Sequence, residues 1–213
     1  MAIRTLLCLA FLGGVSSAPA QAASCASYGS ELAAMAGAQQ AVRGRVDYLA
    51  PPGDALAARH AGQAALVERV NAERFASLLA ACGWPRRSVD GEQALAHARA
   101  LSMDTRASLP LQKAIARHLE AAVAAGEAPG RDLALAADRV AVLEKRPQPY
   151  GTQMRLVGQC SWDFHPLDDH ALVEERRKAV GLPPLADAKR AANEMVIQEN
   201  CSAPGPSTAG HTG

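Results

Sequence analysis

The chain has 213 residues, with 22 lysines and arginines against 21 aspartates and glutamates, and 49% of its residues are hydrophobic. The near balance of charge argues against a general nucleic-acid or membrane-surface binder, because such proteins carry a clear excess of basic residues. Alanine alone accounts for 47 residues and only eight are aromatic, so the composition favours closely packed helices over a sandwich or barrel of strands.

The first 23 residues have the pattern of a secretory signal peptide. Arg4 precedes an apolar stretch over residues 5–15, which is too short to span a bilayer, and small residues follow at positions 18–23. We expect cleavage after Ala22 or Ala23. The mature protein is therefore expected to be exported to the periplasm or the medium, without a transmembrane segment.

Four cysteines remain after removal of the signal peptide, namely Cys25, Cys82, Cys160 and Cys201. An even number in an exported protein indicates disulfides, for which three pairings are possible. We favour Cys25–Cys82, which would join the first helix to the end of the second, and Cys160–Cys201, which would fix the C-terminal segment. No pair has the spacing of a zinc finger.

Cys25 also admits a second interpretation, because Ala-Ala-Ser before it is a weak form of a lipoprotein processing sequence. The large aliphatic residue that usually stands three positions before the lipidated cysteine is absent. Lipidation would also leave three thiols, an odd number, in an oxidising compartment. A lipid anchor at Cys25 is therefore the less favoured alternative.

The mature chain, residues 24–201, is predicted to form a single, mainly α-helical domain. Apolar residues at three- and four-residue spacing predict seven helices, which proline- and glycine-containing segments separate. A short strand is predicted at residues 152–157, within a small β or irregular element near residues 150–162, and residues 202–213 are predicted to be disordered. The predicted helices cover residues 31–48, 54–82, 88–101, 109–125, 131–145, 171–180 and 185–197.

The segment from Asp138 to Gln153 has the densest set of polar side chains. Arg139 lies on a helix that leads directly into Lys-Arg-Pro-Gln-Pro-Tyr-Gly-Thr-Gln at residues 145–153, where the prolines stiffen the backbone and the glycine allows close approach. Such a loop is suited to the wall of a polar pocket. The alternative is a structural corner, in which glutamine and tyrosine side chains bond to backbone groups.

Residues 163–170 contain three aspartates and two histidines, but their spacing matches no known metal-binding loop. Asp168 or Asp169 is better explained as the cap of the following helix. His97 and His118 are isolated on predicted helices, so we assign them surface or packing roles. We predict no metal site and no cofactor, because the sequence contains no phosphate-binding loop and no His-Glu-x-x-His motif.

Several of these strings together resemble a bacterial family of uncharacterised proteins, domain of unknown function 6624. The more specific ones are Tyr-Gly-Thr-Gln at residues 150–153 and Gly-Leu-Pro-Pro at residues 181–184, and the resemblance covers roughly residues 65–190. The other matching strings are Asn-Ala-Glu-Arg at 71–74, Gly-Trp-Pro at 83–85, Gly-Glu at 91–92, Ala-Gly-Glu at 125–127, Asp-Arg-Val at 138–140, Pro-Leu-Asp-Asp at 166–169 and Glu-Glu-Arg-Arg at 174–177.

The resemblance implies a helical fold and marks a candidate cluster, but it implies no reaction. The chain departs from the family after residues 91–92, where relatives tend to have a Gln-His pair. Residues 102–106 are Ser-Met-Asp-Thr-Arg here, without a histidine. The candidate ligand-binding residues are Asn71, Arg74, Asp138, Arg139, Gln148, Tyr150, Thr152 and Gln153.

We expect a non-enzymatic binding or interaction domain of the cell envelope, with a small polar or anionic ligand or an envelope protein as its partner. Arg139 would hold an anionic group, while Gln148, Tyr150 and Gln153 would orient the ligand. An earlier helix would contribute Asn71 and Arg74.

Two alternatives to this binding domain remain open. One is a hydrolase that acts on an envelope substrate, whose acid and base would come from Asp138, Glu144, His165 or Asp169. The other is a scaffold that binds a protein partner through apolar helix faces.

Overall fold

The computed structural model describes residues 25–103, 108–157 and 161–199, which form seven helices and two short strands. The mainly α fold predicted from composition and periodicity is confirmed. The predicted signal peptide, Cys160, Cys201 and the predicted disordered tail lie outside the described residues. The helices are α1 Tyr28–Arg43, α2 Ala55–Cys82, α3 Arg87–Ser102, α4 Leu109–Ala124, α5 Gly130–Leu143, α6 His170–Ala179 and α7 Leu185–Glu199; the strands are β1 Met154–Leu156 and β2 Trp162–Phe164.

The hydrophobic core lies among the first five helices, where α1 packs against α2 and α3, and α4 packs against α5. Leu32, Phe75, Leu95, Ile115 and Leu119 are at most 2% exposed. Each such side chain contributes roughly 1.5–3 kcal/mol through burial. Alanines also lie in the interior, which lets neighbouring helices approach closely and explains how a chain with few aromatic residues fills its core.

Helix α2 begins as predicted, because the carboxylate of Asp54 accepts hydrogen bonds from Leu56 N at 2.9 Å and Ala57 N at 2.8 Å. The prediction that the first helix continues to residue 48 is wrong, since α1 ends at Arg43. Gly44 follows directly, and a glycine disfavours continuation of a helix. Tyr48, which the predicted helix included, remains largely exposed.

The irregular region contains a two-stranded antiparallel hairpin, in which Met154 pairs with Phe164. The sequence predicted a strand at residues 152–157, and β1 occupies its centre; β2 was not predicted as a separate strand. Asn193 on α7 fixes β2, because its Oδ1 accepts a hydrogen bond from Trp162 N at 2.7 Å. A strand of three residues carries too little alternation to be recognised from sequence.

Cys25 and Cys82 form a disulfide with a Cα–Cα distance of 5.7 Å, as the favoured pairing predicted. The bond joins the segment before α1 to the end of α2. A cysteine in a disulfide has no thiol for a lipid, so this bond favours the disulfide interpretation of Cys25. Among the described helices, none combines the length and the apolar character needed to cross a membrane.

We expect the Cys25→Ser/Cys82→Ser variant to lose about 4 kcal/mol of unfolding free energy, because the bond closes a loop of 57 residues in the unfolded chain. Urea denaturation of the wild type and the variant measures this loss. Reductant should lower the stability of the wild type by more than that of the variant. An equal response to reductant would contradict a stabilising role for this bond.

Asp132 on α5 pairs with Arg99 on α3. The titration of Asp132 makes the stability of the protein depend on pH, which allows this pair to be tested. Its side chain is 1% exposed and its Oδ1 accepts from Arg99 at 3.5 Å, while Oδ2 is buried without a hydrogen-bond partner among the described residues. Burial raises the pKa of Asp132 above its ordinary value, although Arg99 works in the opposite direction. Ionised Asp132 therefore costs stability in the folded state.

A carboxyl with a raised pKa contributes stability that is fully present below its unfolded pKa, about 4, and is lost as the pH rises through the folded pKa. Asp132→Asn does not titrate, so its stability relative to the wild type should improve as the pH rises from about 4 to 7. Urea denaturation of both proteins across this range measures the difference. A variant that becomes relatively less stable with rising pH would show that the Arg99 pair outweighs the cost of burial.

Candidate functional site

Asp138 on α5 organises the loop that the sequence marked. Its side chain is fully buried, and its two carboxylate oxygens accept hydrogen bonds from Tyr150 N at 2.9 Å and Thr152 N at 2.6 Å. Burial raises the pKa of Asp138, while the bonds from Thr152 and Tyr150 and the positive charge of Arg177 lower it in part. The carboxylate thus holds together a backbone turn 12–14 residues further along the chain.

Gln148 is also fully buried, and its amide is occupied by backbone groups. Its Nε2 donates to Gln153 O at 3.0 Å and to His165 O at 3.1 Å, and its Oε1 accepts from Gln153 N at 2.8 Å. Its own N–H donates to Pro166 O at 2.8 Å. The side chain therefore joins the loop to the segment that follows β2.

Arg177 on α6 closes the same loop from the other side and is 2% exposed. Its guanidinium donates to Pro183 O at 2.7 Å, Tyr150 O at 2.7 Å and Gly151 O at 2.9 Å. Burial lowers the pKa of Arg177. We call residues 148–153 with Asp138 and Arg177 the polar corner.

The backbone conformation and the close packing at position 151 explain why the polar corner requires a glycine there. Its φ is +66°, and a Cβ at this position would lie 2.7 Å from Leu185 Cδ2 and 3.0 Å from Leu167 Cδ2. Both the left-handed backbone and the lack of space disfavour a side chain. The close approach expected of this glycine is therefore present, and it brings α6 and α7 against the loop.

Three of the eight predicted site residues make their polar contacts elsewhere. Asn71 Nδ2 donates to the carbonyl oxygen of residue 35 on α1 at 2.9 Å, and Arg74 Nε donates to Glu31 Oε2 at 2.8 Å. Arg139 NH1 donates to the carbonyl oxygen of residue 103 after α3 at 2.9 Å. The corner brings together Asp138, Gln148, Tyr150, Thr152 and Gln153, whereas Asn71, Arg74 and Arg139 contact other parts of the fold.

The acidic residues proposed for the hydrolase alternative also have structural partners. Glu144 pairs with Arg146 and Lys113, and these contacts lower its pKa. Asp169 caps α6, as predicted, by accepting from the N–H groups of residues 171 and 172. Asp168, which the sequence offered as the other cap, pairs with Arg176.

A cleft of about 420 Å³ lies between α1 and α3, at a place the sequence did not mark. Alanines and Gly44 leave the space open, and Gln39, Arg43 and His97 supply polar groups to its walls. His97 Nδ1 is buried and has no hydrogen-bond partner among the described residues. We call this cavity the α1–α3 cleft. Its full lining is Ala36, Gln39, Gln40, Arg43, Gly44, His97, Ala100 and Leu101.

A larger groove of about 650 Å³ runs between α2 and the start of α4. Its walls are mainly alanine and leucine, and the exposed ion pair of Arg69 and Glu73 lies at its edge. No buried polar atom of its described lining lacks a hydrogen-bond partner. The α1–α3 cleft is therefore the better candidate for specific recognition of a polar molecule.

The chain matches a known protein family over most of its length. The model of a family of unknown function, DUF6624, matches residues 27–196. The chain belongs to this family. No curated protein and no solved structure matches the chain. The DUF6624 match begins near the start of α1, earlier than the sequence analysis placed it, and therefore includes both walls of the α1–α3 cleft.

The cleft residues of this DUF6624 protein were missed because their proximity depends on packing. Gln39 and Arg43 lie on α1, more than fifty residues before His97 in the chain. The sequence alone predicts a surface or packing role for His97, because the residue is isolated on its helix. The available sequence signal was one turn of polar residues, Gln39, Gln40 and Arg43, on an otherwise alanine-rich helix.

We expect Gln148→Leu to lower the unfolding free energy by about 3 kcal/mol, because it removes three hydrogen bonds and leaves buried backbone groups unpaired. Gln153→Ala is the matched control. The Gln153 side chain donates only to the neighbouring Thr152 hydroxyl among the described contacts, so the loss should be below about 1 kcal/mol. Urea denaturation distinguishes the two. Equal stabilities would contradict a structural role for the Gln148 amide.

Proposed function

We propose that this DUF6624 protein is a non-enzymatic binding domain of the cell envelope, exported by the signal peptide predicted at residues 1–23. Its ligand is a small polar molecule that binds in the α1–α3 cleft. The observation that carries the proposal is the buried His97 Nδ1, which lacks a hydrogen-bond partner among the described residues. Such an atom costs stability unless a bound molecule satisfies it, and polar groups of this kind are uncommon in protein interiors.

The neighbouring side chains are held in place by other parts of the fold. Gln39 is 5% exposed, and its Oε1 lies 3.5 Å from Asn71 Nδ2, which itself donates to α1. Arg43 Nε donates to the buried Glu68 at 2.6 Å, and this bond orients the guanidinium. Asn71, a predicted ligand-binding residue, thus acts here by positioning the cleft.

The size and chemistry of the cleft define the ligand class. A cavity of about 420 Å³ lies in the range of small-molecule sites, roughly 300–1,000 Å³. An amide and an imidazole at fixed positions select hydrogen-bonding geometry, and the guanidinium favours an anionic group. A small polar molecule with an anionic group at the Arg43 end meets these requirements.

The hydrolase alternative has less support. Asp138 and Asp169 accept hydrogen bonds from backbone N–H groups. Glu144 forms an ion pair with Arg146. A general acid or base needs access to a substrate in addition to a suitable pKa. The binding proposal requires no such exposed acid–base pair.

Native mass spectrometry of the protein recovered from its natural compartment tests the proposal. We expect a bound small molecule on the wild type that is lost from Ala100→Leu, because the larger side chain fills the cleft. Ala96→Leu, one turn earlier on the same helix and outside the lining, is the matched control and should retain the molecule. Circular dichroism confirms that both variants fold.

Two results would contradict this site. Recovery of the wild type with no bound molecule would oppose a binding function in this compartment. Loss of the bound molecule from Arg139→Ala but not from Ala100→Leu would move the site to the residues that the sequence marked.

A further inference from the structure

A second cleft, of about 240 Å³, lies between the end of α2 and the last turns of α4. Cys82, Gly83 and Trp84 form one wall, and His118 and Ala122 form the other. Arg86 and Glu127 lie at its edge. We call this cavity the Trp84 cleft; it shares no lining residue with the α1–α3 cleft.

Trp84 presents an unused hydrogen-bond donor at this position. The residue is 4% exposed, and its Nε1 is buried without a partner among the described residues. An indole N–H donates and does not accept, so the missing partner must be an acceptor.

The surrounding contacts make Trp84 rigid. Phe75 packs against its ring edge at a centroid distance of 6.1 Å, and the Tyr28 hydroxyl donates to Gly83 O at 2.9 Å. The disulfide fixes Cys82 two residues before. These contacts hold Trp84 beside the cleft.

The polar groups around the cleft are mostly donors. Burial and the nearby charge of Arg117 lower the pKa of His118, so its imidazole is neutral at neutral pH and carries one N–H. Arg86 adds a positive charge at the edge of the cleft. Glu127, the acid at the edge, already accepts from Ser88 N at 2.9 Å and from Ser88 Oγ at 2.6 Å.

We propose that the Trp84 cleft is a second binding site, and that it takes a small anion whose acceptor oxygens contact Trp84 Nε1, His118 and Arg86. A carboxylate and a phosphate share this chemistry. The site is independent of the function proposed for the α1–α3 cleft, since different helices and different unpartnered atoms form it.

The indole N–H resonance of Trp84 in two-dimensional ¹H–¹⁵N NMR reports directly on this contact. The Trp162→Phe variant, prepared without the predicted signal peptide, contains Trp84 as its only tryptophan. The indole N–H resonance is therefore assigned unambiguously. We expect titration with succinate or with inorganic phosphate to shift the Trp84 resonance downfield and to saturate. The probe that saturates at the lower concentration identifies the carboxylate or the phosphate as the preferred group.

Variants inside and outside the cleft distinguish anion binding at the Trp84 cleft from a general effect of salt on the resonance. Arg86→Ala and His118→Leu should each raise the dissociation constant at least about tenfold, since each removes a hydrogen bond to a charged group. Arg59→Ala, which removes an exposed arginine outside the cleft, should leave it unchanged. Ala100→Leu, which fills the α1–α3 cleft, should also leave it unchanged, so failure of one proposal is distinguishable from failure of the other.

Two outcomes would overturn the proposal. One is a Trp84 resonance that stays in place, or moves linearly without saturation, over the millimolar range of both probes. The other is a saturable shift that persists with the same dissociation constant in Arg86→Ala and in His118→Leu, because binding would then not use the cleft.

Discussion

The buried carboxylate of Asp138 is the constraint on which the C-terminal half of the fold depends. A carboxylate without water needs donors, and two backbone N–H groups supply them at 2.9 Å and 2.6 Å. Those N–H groups lie in a loop that can turn tightly only because residue 151 is glycine. Arg177 then bonds to the carbonyls of the same loop, which fixes α6 against this loop.

The N-terminal half is held by a different kind of interaction. Apolar side chains of α1 to α5 form one core, and the Cys25–Cys82 bond joins the two ends of its first helical hairpin. Alanine keeps these helices close but leaves shallow clefts wherever two alanines face each other. The α1–α3 cleft arises in this way, because Ala36 and Ala100 supply only a methyl group and Gly44 supplies no side chain.

The sequence predicted the helices well but did not mark the residues of the two clefts as binding residues, for a physical reason. Helix periodicity and the Asp54 and Asp169 caps depend on local spacing, which the chain carries directly. The even number of cysteines indicated disulfides, but it left three pairings possible, of which the favoured Cys25–Cys82 bond is present. The loop at residues 148–153 was also recognised. The role of Arg177 and the meeting of Gln39 with His97 depend on how distant helices pack, and no local pattern encodes that geometry.

Hydrogen-bond satisfaction differs between the polar corner and the two clefts. In the polar corner, Gln148 and Arg177 donate hydrogen bonds to backbone carbonyls. A ligand could use these N–H groups only if the internal hydrogen bonds were broken first. Beside the two clefts, His97 Nδ1 and Trp84 Nε1 are buried with no partner among the described residues. Under the proposals above, a bound molecule that reaches one of these atoms would form a hydrogen bond there without displacing an internal partner. The polar corner is therefore better explained as part of the structural framework, whereas both proposed binding sites lie between helices.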